Sequence, residues 1–146
     1  MSDITQLLKH ISLFRGLSEQ QLAVVGRITQ PETYEAHSRI FDQGDQGDKM
    51  YIVDSGQVEV RILDAAGDTN AVLVLGQGQI FGEMALIDHG ERSASVTATQ
   101  GGTQVYAIPK DEFKSLCESD TAIGYVMMRN IAQDLSFKIR HQNLFS

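Results

Sequence analysis

Between Pro31 and Pro109 glycine cuts the chain into short apolar runs, and that punctuation limits what it can fold into. Met50-Tyr51-Ile52-Val53, the alternating Val58, Val60 and Ile62, Val72-Leu73-Val74-Leu75, and Thr103 to Ile108 are each too short for an ordinary helix and suit buried or half-buried strands. Gly44 to Gly47 with their aspartates, Ser55-Gly56, Asp64 to Asp68 and Gly76-Gln77-Gly78 supply turns between them. Tyr34-Glu35-Ala36 and Arg39-Ile40-Phe41 are two more strand candidates around a His37-Ser38 turn, after Pro31 has closed a helical region. Many short strands with glycine-rich turns predict a β-sandwich or jelly roll.

The flanks read differently. Ile4, Leu7 and Leu8 share one helical face, with Ser2 or Asp3 as N-cap. Ser12 to Leu17 form a connector. Ser18 and Gln21 then make an S-x-x-Q capping box ahead of Leu22, Val25 and Ile28. Beyond Lys110, Glu112, Phe113 and Leu116 mark a short amphipathic helix. A longer one runs from about Asp120 to about Asn143, with Ile123, Val126, Met127, Asn130, Ile131, Asp134, Leu135, Lys138 and Ile139 near one broad face. The polar breaks at Asn130, Asp134 and Lys138 fit a helix pair needing register control, and equally fit solvent exposure. The expected fold is mainly β with flanking helices: a jelly-roll sandwich with N-terminal helices over 1–29, the roll over 30–109, and a C-terminal helical lid over 110–143. At 146 residues with 42% hydrophobic content, one domain spanning 1–146 can carry its own core.

Charge and cysteine usage narrow the class. A formal net charge of −7, with no Lys/Arg cluster, predicts no direct nucleic acid binding. No apolar run is long enough to cross a bilayer and MSDITQLLKH is not a signal peptide, so a cytoplasmic protein is expected, with no membrane partner. The single Cys117 forms no internal disulfide and reads as a small packed hydrophobe. His10, His37, His89 and His141 are too widely spaced for a metal motif, so no metal is expected.

The stretch FGEMALIDHGERSASVTA, Phe81 to Ala98, carries the chemistry. Gly82 lacks a Cβ and can let a ligand approach closely. Met84-Ala85-Leu86-Ile87 reads as one helical turn whose start offers N–H groups to an anion. Arg92 presents a fork matched to two phosphate oxygens, and Ser93 adds a hydroxyl donor. Glu83 would repel a bare phosphate but accept from a sugar hydroxyl. A phosphate beside a ribose hydroxyl implies a nucleotide.

This stretch resembles the phosphate-binding cassette of cyclic nucleotide-binding domains: F-G-E, an apolar turn, a short variable loop, then R-[S/T/A]-A. Gly44-Asp45-Gln46-Gly47-Asp48-Lys49-Met50-Tyr51-Ile52-Val53-Asp54-Ser55-Gly56-Gln57-Val58 is similar to a second signature of that family, and the likeness covers roughly residues 10 to 143. The resemblance implies a cyclic nucleotide sensor like catabolite-activator regulators and the regulatory subunits of cyclic-AMP-dependent protein kinase. Its ligand would be cyclic AMP, with cyclic GMP as the alternative since Ser93 could serve either base, and no cofactor is expected. By the same resemblance Gly82, Glu83, Met84, Ala85, Arg92, Ser93 and Ala94 form the ligand set. Arg129, Phe137 and Lys138 are candidate purine-cap residues; the region where transcription-factor relatives place Thr and Ser against the purine reads Phe137-Lys138-Ile139-Arg140 here. A homodimer through the C-terminal helix and an unknown effector protein or domain are the implied partners. Haem would require a cassette that has usually lost the Arg and Glu kept here. No nucleophile–base constellation or Walker-type loop occurs, so the expectation is binding and not catalysis; phosphodiesterase activity is the alternative. An interaction module with the same fold, responding to a dinucleotide or to no ligand, is the other reading.

Overall fold

The computed structural model describes residues 4–99 and 101–142. The N-cap expected at Ser2 or Asp3 and the helix end expected near Asn143 lie outside the described residues. By internal contacts the chain forms two compact units, one of Met1–Arg27 with Lys114–Ser146 and one of Ile28–Phe113.

The second unit is the roll. Its strands are β1 (Gln30–Tyr34), β2 (Arg39–Phe41), β3 (Lys49–Ser55), β4 (Val58–Leu63), β5 (Thr69–Leu75), β6 (Ile80–Phe81), β7 (Ser95–Ala98) and β8 (Thr103–Pro109). They build two four-stranded antiparallel sheets, ordered β1-β8-β3-β6 and β2-β7-β4-β5. Apart from the β4–β5 hairpin, consecutive strands switch between the sheets, which is the jelly-roll arrangement. Tyr51, Val53 and Val105 from one sheet meet Val58, Leu75 and Val96 from the other in the core. Met50, Ile52 and Ile108, pointing the opposite way on β3 and β8, are buried too, so β3 reads as a continuous apolar run and not an alternating one.

The first strand is not where its sequence suggests. Pro31 lies within β1, opposite Tyr106, and Glu35-Ala36 fall beyond the strand's end. β1 is a sheet edge, where a missing N–H breaks no ladder. The turn that follows places His37 at φ 65° and returns its N–H to the Ala98 carbonyl at 2.7 Å.

The first unit holds α1 (Ile4–Lys9), a 3-10 turn over Ser12–Phe14, α2 (Glu19–Gly26) and α4 (Thr121–Gln142), while α3 (Lys110–Ser119) leaves the roll and enters it. The capping box starts α2 as read: Ser18 Oγ accepts from Gln21 N at 3.1 Å, and Gln21 Oε1 accepts from Ser18 N at 2.8 Å. Ile28 lies past the helix end. On α4 the broad face is buried only in its first half, through Ile123, Met127, Asn130 and Ile131. Neither reading of Asn130 holds in this unit: it is 0% exposed and its Nδ2 donates to the Leu13 and Arg15 carbonyls, each at 2.8 Å. Asp134 lies 3.3 Å from Arg15 Nη1. These polar residues fasten α4 to the chain that leaves the 3-10 turn. Among the described residues no helix is long and apolar enough to cross a membrane.

Candidate functional site

β6 ends at Phe81, opposite Tyr51, and the chain must turn sharply to start the cassette. Gly82 makes that turn at φ 76°; a Cβ there would sit 2.6 Å from Arg92 Nη1 and 3.2 Å from the Lys49 carbonyl. Left-handed backbone and close approach both require glycine. Glu83–Leu86 then form a single 3-10 turn, which buries Ala85 and Leu86 and exposes Met84. A second glycine serves the same packing: a Cβ on Gly47 would lie 3.0 Å from Ala85 Cβ and 3.5 Å from Arg92 Nη1.

Arg92 occupies the centre. Its side chain is only 5% exposed. Nη2 donates to the Lys49 carbonyl at 2.8 Å, and Nη1 donates weakly to the Gly82 carbonyl at 3.4 Å. The Asp48 carboxylate is 3.8 Å from Nη2. The guanidinium carbon stands 4.0 Å from the Phe41 ring centroid, a cation–π contact. Phe41, Tyr51 and Phe81 cluster beneath it, with Tyr51 and Phe81 stacked at 4.9 Å. The backbone is fixed as well, since Arg92 N donates to the Asp45 carbonyl at 2.6 Å and the Arg92 carbonyl accepts from Gly44 N at 2.8 Å. Nε is buried with no hydrogen-bond partner. Desolvation pulls the arginine's pKa below its ordinary value, against the raising influence of Tyr51, Asp48 and Asp45; the group stays cationic.

A polar cavity of about 460 Å³ opens beside Arg92, lined also by Tyr34, Phe41, Asp45, Asp48 and Lys49, a volume within the range of small-molecule sites. Of the expected ligand set only Arg92 lines it. Within it Lys49 Nζ pairs with Glu32 Oε2 at 3.0 Å, and Tyr34 donates to Glu32 Oε1 at 2.6 Å. The hydrogen bond to Glu32 raises the Lys49 pKa, and burial together with that carboxylate pushes the Tyr34 phenol far above its usual value.

The structure therefore brings Gly82 into contact with both Ala85 and Arg92. Glu83 is half-buried at the head of the turn, Ser93 is exposed, and Ala94 is buried where the chain enters β7. The N–H of Ala85 is already donated to the Gly82 carbonyl at 3.2 Å. The three candidate cap residues belong to α4: Arg129 lies over the Tyr125 ring at 5.8 Å, Phe137 packs on His141 at 4.1 Å, and Lys138 is exposed. Sequence reasoning missed Phe41, which reads only as a strand residue, and the Lys49 carbonyl. Asp45, Asp48 and Lys49 sit inside the Gly44–Val58 signature, the one signal that could have led to them.

A two-sheet roll holding a buried arginine between a left-handed glycine turn and a glycine–aspartate loop defines a class of small ligand-receiving domains. The comparisons make this particular: the chain belongs to the cyclic nucleotide-binding domain family, whose model matches residues 31–120. It is 31% identical over 137 residues to the cyclic AMP receptor protein of Thermus thermophilus, a match covering 94% of this chain and 61% of that protein. The crystal structure of the Thermus thermophilus catabolite activator protein superposes with a TM-score of 0.81 at 32% identity, covering 91% of this chain and 60% of that one. The regulatory domain of Toxoplasma gondii PKA, solved with cAMP, gives 0.69 at 32% identity over 76% of this chain and 42% of that one. The chain thus spans about three fifths of the first of these relatives.

Proposed function

We propose that this domain is a receptor for a cyclic purine mononucleotide, cyclic AMP in preference to cyclic GMP, acting by binding and not by catalysis. Arg92 carries the reading. A guanidinium 5% exposed and pinned by carbonyls, with its Nε–H left without an acceptor, is a charged donor awaiting an anion. A cyclic phosphate supplies the missing acceptor and the neutralising charge. Glu83 accepts the ribose hydroxyl, Ser93 donates its hydroxyl, and Gly82 and Ala94 offer N–H groups. Ala85 joins them only by giving up its bond to Gly82. Ser93 following the arginine supports the choice of base. Ligand biases the position of α4, from which Arg129, Phe137 or Lys138 caps the purine, by no more than its preference for one position.

The output passes to an effector protein or domain, with a second copy of this chain as the first partner. On α4, Tyr125, Met128, Ala132, Leu135 and Ile139 recur at alternating intervals of three and four, and all but the half-buried Leu135 are exposed. That is the seam of a helix pair. The test is thermal denaturation and calorimetry with cyclic AMP, cyclic GMP, 2′-deoxy cyclic AMP and cyclic dinucleotides. Cyclic AMP should stabilise most, by about 2.7 kcal/mol at a hundredfold excess over Kd, and the deoxy analogue should bind more weakly. Failure of every purine cyclic monophosphate at millimolar concentration refutes the reading.

A further inference from the structure

The loop Asp88 to Glu91, just ahead of Arg92, is the least self-supporting part of the cassette. Its internal bonds are few: Ile87 N and Asp88 N donate to the Met84 carbonyl, and Gly90 N donates to Asp88 Oδ1. Yet its three successive carbonyls, of Asp88, His89 and Gly90, all accept from donors outside the cassette. Gln46 Nε2 reaches the His89 carbonyl at 2.6 Å, and Gly47 N reaches the Gly90 carbonyl at 3.2 Å. The remaining anchor is Lys110, the first residue of α3. Its own N–H is fixed on the Asp48 carbonyl at 2.8 Å, and its Nζ donates to the Asp88 carbonyl and approaches His89 Nδ1 at 3.0 Å.

We propose that Lys110 is a positioning residue of the cassette, holding the Asp88–His89 loop together with Gln46 so that Arg92 and Ser93 meet the ligand in a preset geometry. The role rests on the cyclic-nucleotide reading above. An exposed ammonium ordinarily stays hydrated or pairs loosely with a carboxylate, at little gain. This one directs its donors to a neutral carbonyl and a ring nitrogen on consecutive residues of one loop. An ammonium can only donate, so a hydrogen bond across this contact has His89 Nδ1 as its acceptor. Since Asp45 and Gly44 clamp the Arg92 backbone and Asp48 anchors Lys110, the loop is ordered before ligand arrives and its ordering cost is not taken from affinity.

The test compares the full chain with Lys110→Met, which keeps the apolar stem, and Lys110→Arg, which keeps the donors. Three readouts are taken: hydrogen exchange of residues 87–91 without ligand, the ¹⁵N ring shifts of His89, and the Kd for cyclic AMP. Lys110→Met should speed exchange in the loop, shift the Nδ1 resonance of His89 as that nitrogen loses its donor, and weaken cyclic AMP by about three- to tenfold, the worth of one net hydrogen bond. Lys110→Arg should restore much of the affinity. Unchanged exchange and an unchanged Nδ1 shift in Lys110→Met overturn the proposal, as does a loss of affinity that arginine does not rescue. If the wild-type chain binds no cyclic nucleotide, the functional reading fails, while the exchange and ring readouts still decide whether Lys110 holds the loop.

Discussion

Replacing Arg92 by methionine separates binding from folding. On the stability side the variant loses the 2.8 Å bond to the Lys49 carbonyl and the contact with Phe41, together about 2–4 kcal/mol. Against this, it removes a desolvated cation and a buried Nε with no partner. Exchanging a buried charge for an apolar side chain of similar volume is often close to neutral, so the net change should stay within about 2 kcal/mol. On the binding side nothing offsets the loss. Removing a buried, hydrogen-bonded charge from its partner costs on the order of 2–5 kcal/mol, at least about thirtyfold in Kd. At a ligand concentration of a hundred times the wild-type Kd, the wild type gains about 2.7 kcal/mol, whereas a thirtyfold weaker variant gains under about 1 kcal/mol. At roughly 4 °C per kcal/mol for a chain of this size, the melting temperature should rise by about 10 °C in the wild type and by less than about 4 °C in the variant. Paired thermal melts with and without cyclic AMP, checked by calorimetry, read both quantities. A folded Arg92→Met protein that keeps the full ligand-induced shift refutes the assignment of the arginine to the phosphate.

Gly82→Ala should be worse for binding than its size suggests, because φ 76° costs a non-glycine about 1–2 kcal/mol and the new Cβ would stand 2.6 Å from Arg92 Nη1; calorimetry should show cyclic AMP binding lost while circular dichroism stays native. Asn130→Ala leaves two carbonyls without their donor in a fully buried place and should cost about 2–4 kcal/mol in urea denaturation; a change below about 0.5 kcal/mol would sink the account of that residue. The Lys49–Glu32–Tyr34 cluster makes stability fall at high pH: a raised lysine pKa contributes stability fully present below the ordinary lysine pKa and lost as pH climbs through the raised one, and the raised Tyr34 phenol acts in the same direction. Glu32→Gln should flatten the alkaline limb of the stability–pH curve, and an unaltered limb would exclude the cluster as its cause.

Much of the roll was legible because glycine and apolar runs act locally. A strand from Met50 to Val53 or an alternation from Val58 to Ile62 needs no knowledge of its neighbours, and the Ser18–Gln21 capping box is complete within four residues. The reading failed where position in the fold overrides local preference. Pro31 belongs to a strand because that strand is an edge, and edges are invisible from one segment. Ile80–Phe81 form a strand of two residues paired with β3, too short a run to carry a period of its own.

The candidate site shows the same division more sharply. Arg92 and Gly82 could be singled out because their chemistry resides in residue type: a guanidinium fork, and a backbone free of a Cβ. What holds Arg92 is different in kind. Its acceptors are the carbonyls of Lys49 and Gly82, and its backbone is held by the Asp45 carbonyl and the Gly44 N–H, main-chain groups that only the fold can select. Asn130 makes the converse point. Its amide was conspicuous as a polar break in an apolar face, but two carbonyls over a hundred residues earlier in the chain decide what it does. A side chain's type states which bonds it can make, and the main chain brought to it by topology determines which it does make. It follows that the arginine's hold should outlast changes at Lys49 that spare the backbone: Lys49→Met should leave Arg92 in place and cyclic AMP bound, whereas Gly82→Ala should not.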